Sequence, residues 1–106
     1  MTKEEITQFE LELLELLKNV MDPEIEINIV DLGLIYELNY DEGKGEVDID
    51  LTFSTPSCPL GETIISNIKE TIAQKHPSIY TNVNVVFEPK WSTANISEEG
   101  KKILGM

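Results

Sequence analysis

The sequence contains one cysteine, Cys58, and its position favours thiol chemistry. It follows a predicted strand and immediately precedes a predicted helix whose first turn contains Pro59. Unpaired backbone N–H groups and the positive end of the helix dipole at such a position stabilise the thiolate over the thiol. Cys58 is therefore a candidate metal ligand or nucleophile. The alternative is a small buried side chain, and the nearby carboxylate of Glu62 opposes the thiolate.

A pair of carboxylates flanks Pro23. Asp22 and Glu24 on a rigid turn could bind a metal ion together or act as acid and base. The structural alternative is that Asp22 accepts hydrogen bonds from backbone N–H groups of the turn while Glu24 lies on the surface. Asp31, which precedes a glycine at position 33, has the same two interpretations.

Hydroxyl and aromatic side chains complete the candidates. Ser54, Thr55 and Ser57 could hydrogen-bond the sulfur or a ligand, or cap the following helix. The helix would place His76, the only histidine, roughly 24 Å from the helix start, which argues against a Cys–His dyad. Trp91 is predicted to cover an edge of the core, and docking of a partner is the alternative.

Length and charge exclude several classes of protein. The chain has 106 residues, 41% of them hydrophobic, which fits one domain over residues 1–106. Twenty acidic residues and eight basic ones give a net charge of −12, and all the basic residues are lysines. Such a surface repels a phosphate backbone, so we expect no binding to nucleic acid.

The cysteine count and the N-terminus indicate a compartment. A single cysteine excludes an intramolecular disulfide and a four-cysteine metal site within one chain. The acidic N-terminus lacks a long apolar run, so the sequence predicts neither a signal peptide nor a membrane span. We expect a cytoplasmic protein with no membrane association.

Apolar spacing predicts the elements that position these residues. A helix over residues 3–20 begins with a capping box formed by Thr2 and Glu5. Strands are predicted over residues 34–40, 46–53 and 83–87, a second helix over about 60–75, and a short last helix capped by Ser97. Residues 25–34 are predicted to form an irregular packed loop.

This order of elements, α-β-β-α-β-α, predicts an α+β fold of two layers. Helices cover one face of a small, three-stranded mixed sheet. A right-handed crossover through the second helix places the third strand parallel to the second, without requiring that the two be adjacent.

Several short motifs in this order resemble the SufT and PaaD-type proteins, which are iron–sulfur assembly factors similar to the cytosolic iron–sulfur targeting protein of eukaryotes. The motifs are Asp-Pro-Glu at 22–24, residues 28–36, Thr-Pro-Ser-Cys-Pro-Leu at 55–60, Pro-Lys-Trp at 89–91 and Leu-Gly at 104–105. The PaaD branch carries further cysteines in a C-terminal extension, and these are absent here. The short SufT-like branch therefore fits better.

The resemblance implies a role in maturing iron–sulfur proteins and a fold related to iron–sulfur scaffold modules. It implies that Cys58 is the functional thiol and metal ligand, with Asp22, Glu24 and Thr55 as neighbours. Clusters normally take four thiolate ligands, so one cysteine must share a cluster across a dimer, hold iron or a cluster transiently, or serve only in docking. The implied partners are the assembly machinery and apo client proteins.

Two other classes remain open. One is a non-catalytic adaptor that docks clients or assembly partners through Trp91 and the proline-rich loop without binding metal. The other is a cysteine enzyme, which is disfavoured because the sequence offers neither a resolving cysteine nor a nearby base for Cys58. We therefore expect an assembly factor rather than an enzyme.

Overall fold

The computed structural model describes residues 1–54 and 61–106. The helices are α1 (Lys3–Leu17), α2 (Gly61–Lys75) and α3 (Glu98–Leu104), and the strands are β1 (Ile35–Asp41), β2 (Glu46–Leu51) and β3 (Tyr80–Val85). A 3-10 turn, Thr93–Asn95, precedes α3. The order confirms the predicted α-β-β-α-β-α arrangement and the α+β fold class.

Helix α1 begins as the sequence predicts. The Thr2 hydroxyl accepts from the Glu5 N–H, and the Glu5 carboxylate accepts from the Thr2 N–H, which completes a capping box. The helix ends at Leu17 instead of the predicted Val20. Residues 18–20 form a tighter turn, in which each N–H donates to the carbonyl three residues earlier. Val20 is still buried.

The sheet has the order β1-β2-β3. Strands β1 and β2 form an antiparallel hairpin, and α2 carries the chain to β3, which pairs with β2 in parallel. The predicted parallel crossover is confirmed, and the two parallel strands are adjacent. A bulge at Tyr36 interrupts β1, because Ile35 pairs with Leu51 while Glu37 pairs with Asp50.

The third strand lies earlier in the chain than predicted. The expected strand covered residues 83–87, whereas β3 runs from Tyr80 to Val85. Its pairing with β2 extends from Glu46 opposite Tyr80 to Leu51 opposite Val85. Because β2 ends at Leu51, the ladder stops there, and Phe87 lies beyond the sheet with much of its ring exposed.

The core lies between the sheet and the two long helices. It also takes side chains from the irregular loop over residues 25–34, which confirms that this loop is packed. The fully buried members are Leu13 and Leu17 of α1, Ile27, Ile29, Leu32 and Leu34 of the loop, Val47, Ile49 and Leu51 of β2, and Ile64, Ile68 and Ile72 of α2. Within residues 1–54 and 61–106, no helix is both long enough and apolar enough to cross a membrane.

Candidate functional site

The segment that contains Cys58 and Thr55 lies outside the described residues, but its two flanks are described. Before it, β2 ends at Leu51, two residues earlier than predicted, and the buried Thr52 and then Phe53 and Ser54 follow. After it, Gly61 begins α2. A Cβ atom on Gly61 would lie 2.8 Å from the Phe53 ring. The start of α2 therefore lies against the residue that follows β2, and the two flanks meet.

A cleft of about 280 Å³ opens beside these flanks. It lies between the end of β2 and the segment that follows β3, at the carboxyl ends of the two parallel strands. Ligands of open α/β sheets bind at such ends. Its described lining residues are Thr52, Phe53, Ser54, Phe87, Glu88, Lys90 and Trp91. The site thus combines aromatic walls with one lysine and one carboxylate.

The aromatic walls of this cleft come from both sides. The rings of Phe53 and Phe87 lie 6.5 Å apart at an interplanar angle of 55°. Trp91 is half-buried against the core, and its indole N–H donates to the Leu32 carbonyl oxygen at 2.8 Å. This contact agrees with the predicted cover over the core edge. Docking of a partner by Trp91 stays a prediction.

Further contacts hold the segment around Trp91 against the sheet. The Tyr36 hydroxyl donates to the Pro89 carbonyl oxygen at 2.6 Å and accepts from the Asn95 side-chain amide at 3.2 Å. Gly33 has a φ of +80°, and a Cβ atom there would overlap the Asn95 carbonyl oxygen. Only glycine allows the loop over residues 25–34 to approach so closely.

The turn with Asp22 and Glu24 has a structural explanation of its own. Asp22 is buried, and its Oδ1 accepts from the N–H groups of Glu24 at 2.8 Å and Ile25 at 3.2 Å. Glu24 is exposed. Among the described residues, no hydrogen bond or ion pair joins this turn to the cleft, so its place beside Cys58 stays a prediction.

Asp31 has a role that the sequence analysis missed. Its carboxylate accepts from the Asn28 side-chain amide and from the Ser97 hydroxyl, both at 2.7 Å. The hydrogen bonds from Asn28 and Ser97 hold the pKa of Asp31 below its usual range. The hydrogen bond from Ser97 joins the loop over residues 25–34 to the start of α3. The local signal for the role of Asp31 was the Asn-x-x-Asp spacing, whereas Ser97 is 66 residues away.

Other grooves are larger, and their described lining residues include none of Asp22, Glu24 and Trp91. One groove of about 380 Å³ between α1 and the end of α2 contains His76, which packs edge-on against Phe9 at 5.0 Å. Across the described ranges, no group of three or more histidine, cysteine, aspartate or glutamate side chains could hold a metal ion.

Comparison with known proteins gives the family. A family model described as iron–sulfur cluster assembly protein matches residues 10–85. The chain is 38% identical to the Fe-S protein maturation auxiliary factor SufT of Staphylococcus aureus over 87 residues, covering 82% of this chain and 98% of that relative. It is 35% identical to an Fe-S protein maturation auxiliary factor of Porphyromonas gingivalis, covering 95% of each chain.

A solved structure has the same fold. A crystal structure of a domain of unknown function, DUF59, from Bacillus anthracis superposes with a TM-score of 0.92 at 33% identity and covers 99% of each chain. The sequence match and the shared architecture agree over nearly the whole chain, including the strands and the helix that frame the cleft. This chain belongs to the iron–sulfur cluster assembly protein family.

Proposed function

We propose that this protein assists the maturation of iron–sulfur proteins, with Cys58 holding iron or a cluster as cargo beside the cleft. The family and the relatives named as Fe-S protein maturation auxiliary factors support the role. The contact between Phe53 and Gly61 supports this site most directly. The only cysteine of the sequence lies between these two residues in the chain.

The start of α2 beside the cleft suits a thiolate ligand. The N-terminal end of α2 lies at Gly61, and the positive end of its dipole favours a nearby thiolate. Lys90 adds a positive charge to the lining of the cleft, and Glu88 adds a negative one. The rings of Phe53, Phe87 and Trp91 give the cleft an apolar wall.

The ligand count makes the cargo transient. A cluster takes four ligands, and this chain has one cysteine. Among the described residues, no group of three or more histidine, cysteine, aspartate or glutamate side chains could hold a metal ion. The other thiolates of such a cluster come from a second copy of the chain, from the assembly machinery or from the apo client. A site completed by its partner releases cargo when the partner leaves.

The family resemblance implies three neighbours of Cys58, and we propose a different role for each of them. Thr55 is three residues before Cys58 in the sequence and carries a hydroxyl, and both residues lie outside the described part of the chain. Asp22 already accepts two backbone hydrogen bonds, so its part is to shape the turn. Glu24 is exposed and is the carboxylate of this turn that a partner can reach.

We assign no catalytic step to the protein and place it in the cytoplasm. The relatives are called auxiliary maturation factors, which agrees with a carrier or helper rather than an enzyme. A reducing compartment keeps a lone thiol free for metal binding.

The second candidate is an adaptor that docks clients without metal. It is favoured by the position of Trp91, whose ring lines the cleft while its N–H is already bonded to Leu32. An adaptor needs the aromatic wall and does not need the thiol. The two functions therefore make opposite predictions for substitutions of Trp91 and Cys58.

Anaerobic reconstitution with iron and sulfide separates the candidates. The wild type, Cys58→Ser, and a Cys58→Ser/Ser66→Cys double variant are compared by visible absorbance, bound iron and transfer to an apo-ferredoxin. Ser66 is exposed on α2, so the double variant keeps one thiol at a different place. We expect bound iron and transfer in the wild type alone.

Two results would decide against the carrier. Equal iron binding by the double variant would show that any thiol suffices. An absence of specific iron in every sample would favour the adaptor, for which Trp91→Ala weakens capture of an apo client and Cys58→Ser leaves it unchanged.

A further inference from the structure

The two edges of the sheet are protected to different degrees. At the β1 edge, the Tyr40 N–H donates to the Glu10 carboxylate of α1 at 2.8 Å, and the Tyr40 ring packs against Phe9. The bulge at Tyr36 and the charged side chains of Glu37 and Asp41 oppose strand pairing at this edge as well. Another chain that extends the sheet on this side must first displace the Glu10 carboxylate from the Tyr40 N–H.

Residues 1–54 and 61–106 give the β3 edge none of these protections. The Tyr80 and Val86 N–H groups donate to carbonyls of the β2 side, at 3.0 Å and 2.8 Å. Because backbone groups alternate in direction along a strand, the amides of Thr81, Val83 and Val85 point away from β2. In the described part of the chain, no hydrogen bond joins these three amides to another segment. Strand β3 contains neither a charged residue nor a proline.

The sheet face opposite the helices is strongly acidic. The register places five carboxylates on this face and no lysine among the three strands. They belong to Glu37, Asp41, Glu46, Asp48 and Asp50. On β3 the same face presents Tyr80, Asn82 and Asn84, all uncharged. A chain added beside β3 would therefore face a negative potential across the sheet.

We propose that β3 is a docking strand for an extended basic segment of another protein. The segment would pair with the outward amides of Thr81, Val83 and Val85 and become a fourth strand. On the acidic face, its lysine or arginine side chains would extend over Asn82 and Asn84 towards Asp48 and Asp50. The β2 backbone is two strand spacings away, about 10 Å, which long side chains on both strands can bridge.

Charge also argues against a second copy as the occupant. The chain has a net charge of −12 and no arginine, and its own β3 has no lysine. Pairing of two β3 strands would bring two acidic faces together without a compensating positive charge. A basic strand avoids this repulsion, and the acidic face attracts it at long range. The proposal does not depend on Cys58 or on the cargo, and its failure would leave the proposed maturation role untouched.

The test uses a synthetic probe, an acetylated and amidated peptide of alternating lysine and valine seven residues long. Binding to the full chain is followed by calorimetry and by amide hydrogen exchange. We expect the amides of Thr81, Val83 and Val85 to exchange more slowly with peptide present. A matched glutamate–valine peptide should not bind, and added salt should weaken binding of the lysine peptide.

Variants of the protein test the edge itself. Val85→Pro removes an outward N–H without removing a bond to β2, while Val85→Ala shortens the same side chain and keeps the N–H. The proline variant should bind the lysine peptide about tenfold more weakly, the loss expected for one backbone hydrogen bond, and the alanine variant about as well as the wild type.

Two N-methylated peptides keep the test decisive if the proline variant does not fold. One carries N-methyl groups on the valine amides and the other on the lysine amides. Only alternate amides of an added strand face β3, so one peptide should lose binding and the other should keep it. Binding that survives both modifications, or no binding of the lysine peptide at all, would overturn the proposal. If the wild type forms a dimer and Val85→Pro is a monomer, the occupant of the β3 edge is a second copy of the chain, and the proposed basic partner is overturned.

Discussion

The ring of Phe53 lies so close to Gly61 that a Cβ atom on the glycine would be 2.8 Å from the ring Cζ. Phe53 follows β2 and Gly61 begins α2, so this contact joins the two ends of the segment that carries Cys58. The packing of a phenylalanine on a glycine thus connects the sheet to the proposed thiol site.

Substitution of Gly61 should therefore destabilise the protein. In Gly61→Ala, overpacking against the ring costs about 1–3 kcal/mol, which exceeds the gain of up to about 1 kcal/mol from replacing a helical glycine. Urea unfolding measures the loss. Gly43→Ala is the control, because its Cβ would meet only the Asp41 carboxylate, at 3.4 Å. A second substitution, Phe53→Leu, should recover part of the loss, and equal stabilities of the two alanine variants would contradict the packing argument.

Trp91 should contribute stability through its indole N–H. Trp91→Phe keeps an aromatic ring but loses the donor to the Leu32 carbonyl, which costs about 0.5–1.5 kcal/mol for the hydrogen bond and more if the carbonyl stays unpaired. Tyr80→Phe is a suitable control because Tyr80 is exposed on β3. The free energy of unfolding should fall in the first variant and stay nearly constant in the second. A larger loss of stability in Tyr80→Phe than in Trp91→Phe would show that the hydrogen bond from Trp91 to Leu32 does not stabilise the fold.

Much of this fold is predictable because its signals are local. The capping box at Thr2 and Glu5 and the alternation in β2 each lie within a few residues, and both are confirmed. The start of β3 could not be predicted in this way, because the ladder depends on where Glu46 lies and not on the hydropathy of β3 alone.

The candidate site is less predictable because its contacts join distant parts of the chain. Trp91 is 59 residues from Leu32, and Ser97 is 66 residues from Asp31. No periodic pattern indicates such pairs. The sequence indicated the residue types of the site, while the cleft between Phe53 and Phe87 required the folded arrangement.

Substitutions at Gly33 and Gly105 separate the effect of backbone conformation on stability from the effect of packing. Gly33 and Gly105 both have positive φ, at +80° and +75°, but only Gly33 has atoms within reach of a Cβ. Gly105→Ala should cost about 1–2 kcal/mol of conformational energy. Gly33→Ala should cost clearly more, because the new Cβ would overlap the backbone of Asn95. Thermal unfolding of both variants measures the difference, and similar midpoints would contradict the close approach.

The Asp31 contact should make stability depend on pH in the acid range. Hydrogen bonds from Asn28 and Ser97 lower the pKa of Asp31 in the folded state. A lowered pKa means that the stabilisation is fully present above the unfolded-state value of about 3.9 and is lost as pH falls through the folded-state value. The wild type should thus be more stable than Asp31→Asn at pH 6, and the difference should shrink below pH 4. A difference that is constant from pH 6 to pH 3 would show that ionised Asp31 is not the acceptor.

Restoration of cluster enzymes in cells that lack the protein tests the central claim most directly. Wild type, Cys58→Ala and Ser66→Ala are expressed at equal levels, and the activities of cluster-dependent enzymes are measured. We predict that the wild type and Ser66→Ala restore these activities and that Cys58→Ala does not. Full restoration by Cys58→Ala would contradict a role for the thiol as the holder of iron or a cluster.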